Sequence, residues 1–317
     1  MLLNRIERDA GRLWHEHPPV LRHAKKQQLL ALAGGLERTP VGVVEISRWA
    51  PGDDRHVGPP TPLESIDGPF TYPRTSAGVE AWHVNFADTE LFAFYGGPAF
   101  AQDELQVAEH PVLASVRGFL VSAALDGLRA LTREASRPTP VLIRNVERWC
   151  IIDTDPELAA PYGVYGRRLA RASDDALAQA VRRLDGKPPS NILAIVAPQG
   201  KGRYSRDEIA DILRTATTGF AAAVEASPSG RRVRVHTGHW GTGAFGGNRT
   251  LMAAAQVLAA RMAAVAELAY HSLDDDGVHA FREGAAIAEA VPVGAPLAAA
   301  VDALYERSFS WSASDGN

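Results

Sequence analysis

From residue 141 onward the chain alternates short β-rich runs with longer helical ones, and this order restricts the fold more than any other feature of the sequence. Val141 to Arg144, Trp149 to Ile152, Asn191 to Ala197, Arg231 to His236 and Leu268 to Leu273 read as strands bounded by polar residues or proline. Ser205 and Glu208 have the spacing of a capping box, in which each side chain accepts the other's backbone N–H, so a helix opens there and reaches about Ala226. Arg249 to Ala266 and Gly277 to Ala290 follow as helices. Such a βαβα succession buries its strands between helices, which predicts an α/β fold with a parallel or mixed sheet.

Before residue 141 the pattern is less regular. Residues 2–36 repeat apolar positions at helical spacing around Pro18 and Pro19 and stop at Gly34-Gly35, which predicts two helices. Val41 to Trp49 and Ala81 to Ala87 read as strands, with Gly52 to Ser76 between them as a long connection or ragged hairpins. Gln102 to Leu131 is helical, broken near Pro111. Ser312 to Asn317 is small and polar and is expected to fray. The expected organisation is an N-terminal helical extension (1–40), one domain (41–308) and a frayed tail (309–317).

The 317 residues are 46% hydrophobic and 22% charged, which suits a folded chain and excludes a disordered or collagen-like one. A net charge of -4 gives no positive field for nucleic-acid backbone or anionic membrane, so neither is an expected partner. Any phosphate must be gripped locally. A single cysteine, Cys150, fits a reducing compartment. The charged N-terminus lacks the form of a signal peptide, and Leu251 to Leu268 is interrupted by Gln256, Arg261 and Glu267, so a cytoplasmic location is expected.

The densest local signal is His236 to Asn248, between a predicted strand and a predicted helix. Glycines at 238, 241, 243, 246 and 247 leave backbone N–H groups uncovered, and the positive end of the next helix faces them. A neutral protein can hold a diphosphate in this way; a tight turn built only for packing is the plainer reading. Gly241, Gly243 and Gly246 also satisfy G-x-G-x-x-G, and Asp274 follows the next strand, so a nicotinamide-dinucleotide oxidoreductase competes. A second signal is Asp103 and Glu104 at a helix start. Adjacent carboxylates can keep one proton for general acid work, or can merely complement the helix dipole.

Together these segments resemble a known family. Thr237 to Ala260 is similar to the T-G-N-W-G-C-G-A-F-G-G-D segment and following helix of the poly(ADP-ribose) glycohydrolases, which are macrodomain relatives. Val84 to Asp88 resembles the family's V-D-F-A-N. Gln102-Asp-Glu-Leu-Gln, followed by Pro111-Val-Leu, resembles its Q-E-E-I-R and P-E-L. Weaker likeness covers Val41 to Ile46, Tyr162 to Tyr165, Thr218 to Phe220 and Leu268 to Phe281, so the resemblance spans about 41–290.

The resemblance implies a macrodomain-like three-layer α/β/α fold that binds ADP-ribose and hydrolyses a glycosidic bond at ribose C1″. The catalytic acid would be Glu104. An oxocarbenium-like transition state needs a proton on the leaving oxygen and then a base for water, and one carboxyl can serve both. Asp103 would orient the ribose hydroxyls and raise the proton affinity of Glu104. His239, Trp240, Gly241, Thr242, Gly243, Ala244, Phe245, Gly246 and Gly247 would hold the diphosphate and ribose, with Asp88, Gln102 and Tyr165 completing the substrate site. No metal or cofactor is implied. A binding-only ADP-ribose protein is the alternative.

The chain also departs from the family. Phe92-Ala93-Phe94 replaces three glycines, Asp88 replaces an Asn, Asp103 is shorter than Glu, and Leu273 replaces an aromatic near the adenine. Side chains at 92–94 keep a ligand away from that backbone, which predicts a compact ADP-ribosyl or NAD-derived substrate. His236, His239, His271 and His279 lack carboxylate or cysteine partners at ligand spacing and are not expected to bind metal. Cys150 is expected to be a buried thiol, and Asp274 to Asp276 a helix cap.

Overall fold

The computed structural model describes residues 1–52, 55–123, 125–154, 163–186 and 189–314. The strands are β1 (Leu2–Asp9), β2 (Val43–Trp49), β3 (Leu63–Asp67), β4 (Val79–Ala87), β5 (Arg133–Glu134), β6 (Arg137–Pro138), β7 (Val141–Val146), β8 (Cys150–Ile152), β9 (Val181–Arg183), β10 (Ser190–Val196), β11 (Arg232–Gly238) and β12 (Glu267–Ser272). The helices are α1 (Ala10–Glu16), α2 (Ala24–Ala33), α3 (Gln102–Glu109), α4 (Val112–Ser122), α5 (Asp174–Ala180), α6 (Arg206–Ala226), α7 (Arg249–Met262), α8 (Asp275–Glu289) and α9 (Leu297–Tyr305). Eight strands form a mixed sheet in the order β1-β2-β7-β10-β4-β11-β12-β3. From β10 to β3 neighbours run parallel, while β1, β2, β7 and β10 pair antiparallel.

Alternate residues of the central strands enter opposite cores, which makes the three layers. Leu193, Ile195, Trp82, Val84 and Val235 pack under α6 and the alanine-rich α7. Ile192, Ala194, Ala87 and Ile46 meet Leu113 and Val116 of α4. A third cluster joins Trp14 and Leu29 of the N-terminal segment to Phe100 and Trp149, beside the start of α3. Capping fixes two helix starts: Ser205 and Glu208 form the expected box on α6, and the Asp274 carboxylate accepts the Gly277 N–H at α8.

Three elements differ from expectation. Helix α4 ends at Ser122, short of the expected Leu131. Residues 2–9 form strand β1, paired antiparallel with β2, where a helix was predicted; Leu2 and Ile6 fit either period, and the long partner decides. The N-terminal extension is therefore a strand and two helices. Within 52–76, β3 joins the sheet edge parallel to β12, its short apolar content hidden among Pro, Gly and Asp. The antiparallel end also departs from the all-parallel 3-2-1-4-5-6 order of dinucleotide-binding domains, so the fold does not support the oxidoreductase reading. Among the described residues no helix is long and apolar enough to cross a membrane.

Candidate active site

Helix α3 is anchored on β4 by its own first turn. Gln102 accepts the Phe86 N–H at 2.9 Å and donates to the Val84 carbonyl at 3.0 Å, so its amide is a clip along the strand. The next residue, Asp103, accepts from the Asn85 side-chain amide at 3.0 Å. Glu104 accepts the Ala101 N–H at 2.7 Å, which fixes one carboxylate oxygen at the helix start. Both acids are buried, Asp103 at 7% and Glu104 at 5% exposure. Burial, and then the charge of Glu104, raises the Asp103 carboxyl well above the usual carboxylate range, against the opposing Asn85 hydrogen bond.

The glycine loop reaches the same edge of the sheet. The β4–β11 ladder ends at His236 paired with His83, and beyond it the Gln102 amide takes the Val84 carbonyl and the Phe86 N–H, so the chain leaves β11 into the glycine loop next to the first turn of α3. The loop then turns back over the end of β4. Gly241 takes φ +73°, and a β-carbon there would stand 2.8 Å from Pro198 Cδ, just beyond β10 on the far side of β4. The loop holds its own shape through Gly247 N–H to the Gly241 carbonyl (2.9 Å) and Gly246 N–H to the Gly243 carbonyl (3.0 Å). Among the described residues the N–H groups of Gly241, Gly243, Ala244 and Phe245 have no partner. Asn248 caps α7 immediately after, accepting the Leu251 N–H at 3.0 Å, so the loop combines free amides with a positive helix end.

Other predicted site residues surround this edge. Tyr165 precedes a 3-10 turn whose Gly166 N–H donates to the Phe100 carbonyl at 2.8 Å, beside the start of α3; Tyr162 lies outside the described residues. Asp88 directly follows β4 and is half-buried. Phe245 is half-buried against the core, Trp240 is fully buried, and the Thr242 hydroxyl donates to the His239 carbonyl at 3.0 Å. His239 is turned toward Gly277 of α8, and burial pushes it down to about 4, so it is a neutral ring. Of the replaced glycine triplet, Phe92 is fully buried among Leu113 and Val116 at φ +53°, whereas Phe94 is 53% exposed. Leu273 is also exposed.

Several contributors gave little signal in the sequence. Asn85, which holds Asp103, sits within an apolar strand. Lys26 of α2 is buried, donates to the Tyr95 carbonyl at 3.0 Å and lies 4.7 Å from the Phe100 ring centroid; burial lowers it to about 8, although Glu104 and Asp103 oppose that shift. Its neighbour Lys25 makes the pair look like an exposed helix face. His83 is stacked between Tyr72 and His236 at 4.3 Å and 4.4 Å, and burial keeps both histidines uncharged. Among the described residues no group of three or more His, Cys, Asp or Glu could hold a metal ion.

The tail also takes part. Trp311 N–H donates to the Gly202 carbonyl at 2.7 Å and Ser312 N–H to the Gly246 carbonyl at 2.6 Å, and Trp311 stacks on Tyr204 at 4.3 Å. The Tyr204 hydroxyl accepts the Asn248 N–H at 2.9 Å. Residues 309–314, expected to fray, are therefore a strap along the glycine loop, because Trp311 supplies the apolar contact that a small polar tail lacks; 315–317 lie outside the described residues.

Residues 157–280 match the family model described as poly(ADP-ribose) glycohydrolase, macro domain fold. The match contains the glycine loop and begins after α3. No curated protein matches the chain. Among solved structures, the chain is similar to a poly(ADP-ribose) glycohydrolase from Thermomonospora curvata at 17% identity and TM-score 0.43, over 89% of this chain and 84% of that one. The Thermomonospora curvata enzyme bound to the inhibitor ADP-HPD gives 16% identity and TM-score 0.43, over 94% and 87%. A Deinococcus radiodurans poly(ADP-ribose) glycohydrolase in complex with ADP-ribose gives 13% identity and TM-score 0.39, over 88% and 94%.

Proposed function

We propose that this chain is a cytoplasmic ADP-ribosyl glycohydrolase that cleaves the bond at ribose C1″ of an ADP-ribosyl conjugate. The observation that carries the reading is the meeting at one sheet edge of a buried carboxyl pair, Asp103 and Glu104, and a glycine loop with free backbone amides. The family model, which covers that loop, supports it.

The free amides of Gly241, Gly243, Ala244 and Phe245 bind the diphosphate and fix the distal ribose near α3. Acting as the acid, Glu104 gives a proton to the leaving oxygen as the C1″–O bond breaks, and the ribose passes through an oxocarbenium-like state. Water then adds its oxygen to C1″ while its proton returns to Glu104. Asp103, positioned by Asn85, holds the ribose hydroxyls, and Gln102 keeps the first turn of α3 fixed to β4.

Glu104→Gln tests the assignment, because the amide is isosteric and cannot transfer the proton. Turnover of an ADP-ribosylated peptide should fall by roughly 10²–10⁴-fold, while calorimetry should show ADP-ribose bound about as well as by the unmodified protein and well ahead of AMP. A variant that retains full turnover removes Glu104 from the chemistry. An unmodified protein that binds ADP-ribose and hydrolyses no conjugate is a reader instead.

A further inference from the structure

Lys26 is a buried charge without a direct counter-ion. It is 3% exposed on α2, which packs against α3. One of its three N–H donors is spent on the Tyr95 carbonyl at 3.0 Å, and the ammonium stands 4.7 Å from the Phe100 ring centroid. Among the described residues it forms no ion pair, whereas its neighbour Lys25 holds Asp174 at 2.8 Å. Burying an ammonium is costly unless an anion repays it. The anion at hand is the carboxyl pair. Phe100, which meets the ammonium, is joined to Ala101, whose N–H donates to Glu104 at 2.7 Å, and the charges of Glu104 and Asp103 favour the charged form of Lys26 against its burial.

The backbone around Lys26 is fixed. Arg22 and His23 both donate their N–H groups to the Gly96 carbonyl, at 2.9 and 3.1 Å, Val20 N–H donates to the Tyr95 hydroxyl at 2.8 Å, and the Val20 carbonyl leaves no room for a β-carbon at Gly96. Residues 20–26 of the N-terminal extension and the turn at 92–97 are therefore one unit, and it sets the ammonium beside the first turn of α3. Other charges around the pair are accounted for. Asp88 acts on Asp103 from the end of β4, His83 of the same strand is uncharged, and Glu109 at the far end of α3 is paired with Arg148. On the elements that flank α2, Asp174 is taken by Lys25, Asp175 is exposed, and Arg182 and Arg183 lie on β9, Arg183 near Gly34 beyond the C-terminal end of α2. Two carboxyl groups and one ammonium form a neutral cluster when the pair carries one negative charge and keeps one proton, and a proton on the pair is what an acid step spends.

Resting on the glycohydrolase reading above, we propose that Lys26 is a positioning residue for the hydrolysis: the N-terminal extension carries a fixed positive charge to Asp103 and Glu104 and so keeps one negative charge and one proton between them. NMR of 13C-labelled Asp and Glu side chains follows the titration of the pair in the protein without substrate. In Lys26→Met, which keeps an aliphatic stem, this titration should move to higher pH by about one pH unit or more, because the carboxyl groups lose a cation that favours their charged form. Lys26→Gln, whose amide can still donate to the Tyr95 carbonyl, should move it in the same direction, and Lys26→Arg should stay with the unmodified protein. The pH profile of kcat on an ADP-ribosylated peptide should shift with the titration, while ADP-ribose affinity stays within about twofold, since the glycine loop holds the diphosphate. A titration unmoved in both neutral variants, a kcat profile lowered in height but unmoved in pH, or Lys26→Arg shifting as far as Lys26→Met would each overturn the role. An unmodified protein that turns over no ADP-ribosylated peptide, with the NMR shift intact, would instead remove the glycohydrolase reading beneath it.

Discussion

The Asn85 side-chain amide donates to Asp103 across 3.0 Å, and both residues are buried at the junction of β4 and α3. This hydrogen bond favours a charged Asp103, yet burial and the neighbouring Glu104 outweigh it and raise its proton affinity. An acid whose proton affinity is higher in the folded state costs stability above its ordinary value of 3.8, because the unfolded chain releases the proton first. Asp103→Asn preserves the shape and can still accept from Asn85. Its melting temperature should match the unmodified protein near pH 4 and exceed it increasingly toward neutral pH. A lower melting temperature at neutral pH, in a correctly folded variant, would mean that the charge stabilises the site.

Gly246 carries φ +65°, and the Ser312 carbonyl fills the space that a β-carbon would enter. Gly246→Ala therefore imposes both a left-handed strain and a clash, and stability should fall by roughly 1–3 kcal/mol. Chemical denaturation measures the loss, and ADP-ribose titration should show weaker binding because the neighbouring amides shift.

Phe92 presents two opposed effects. Its φ of +53° is unfavourable for an aromatic residue, and Phe92→Gly would relieve about 1–3 kcal/mol of strain. The same change empties a fully buried site, which costs roughly 3–5 kcal/mol for Phe→Ala replacements. Packing wins, so urea unfolding should show Phe92→Gly to be the less stable protein; a stabilised variant would mean that the backbone strain dominates.

Arg148 and Glu109 form a buried pair, with hydrogen bonds at 3.0 and 2.8 Å, and Glu109 also accepts the Ile152 N–H at 2.8 Å. Glu109→Gln leaves the guanidinium without its counter-charge in a buried site, and a loss of about 3–5 kcal/mol is expected in denaturant titrations. The exposed Arg12–Glu16 pair on α1 is the control: Glu16→Gln should leave the midpoint unchanged within error.

The parallel half of the fold was legible because its strands are short, apolar and separated by clear helical patterns, with Ser205 and Asp274 marking helix starts. The N-terminal strand was not, since its few apolar residues, Leu2 and Ile6 among them, fit either period until a partner is known. The same distinction applies at the site. Glu104 and the glycine loop announce themselves through residue type and spacing, whereas Asn85 and Lys26 depend on which side chain faces which helix. That information lies in pairings such as His236 with His83, and no local run of residues carries it.

The strap gives the glycine loop a second master. Because a carbonyl from residue 312 occupies the volume beside Gly246, and the indole of Trp311 does the same beside Gly200, two small residues on neighbouring loops answer to the end of the polypeptide as well as to any bound anion. A fusion partner attached just after the strap would load the glycine loop mechanically, and an evolutionary lineage that discarded this segment would find Gly200 open to larger residues, whereas its left-handed backbone would still hold position 246 to glycine.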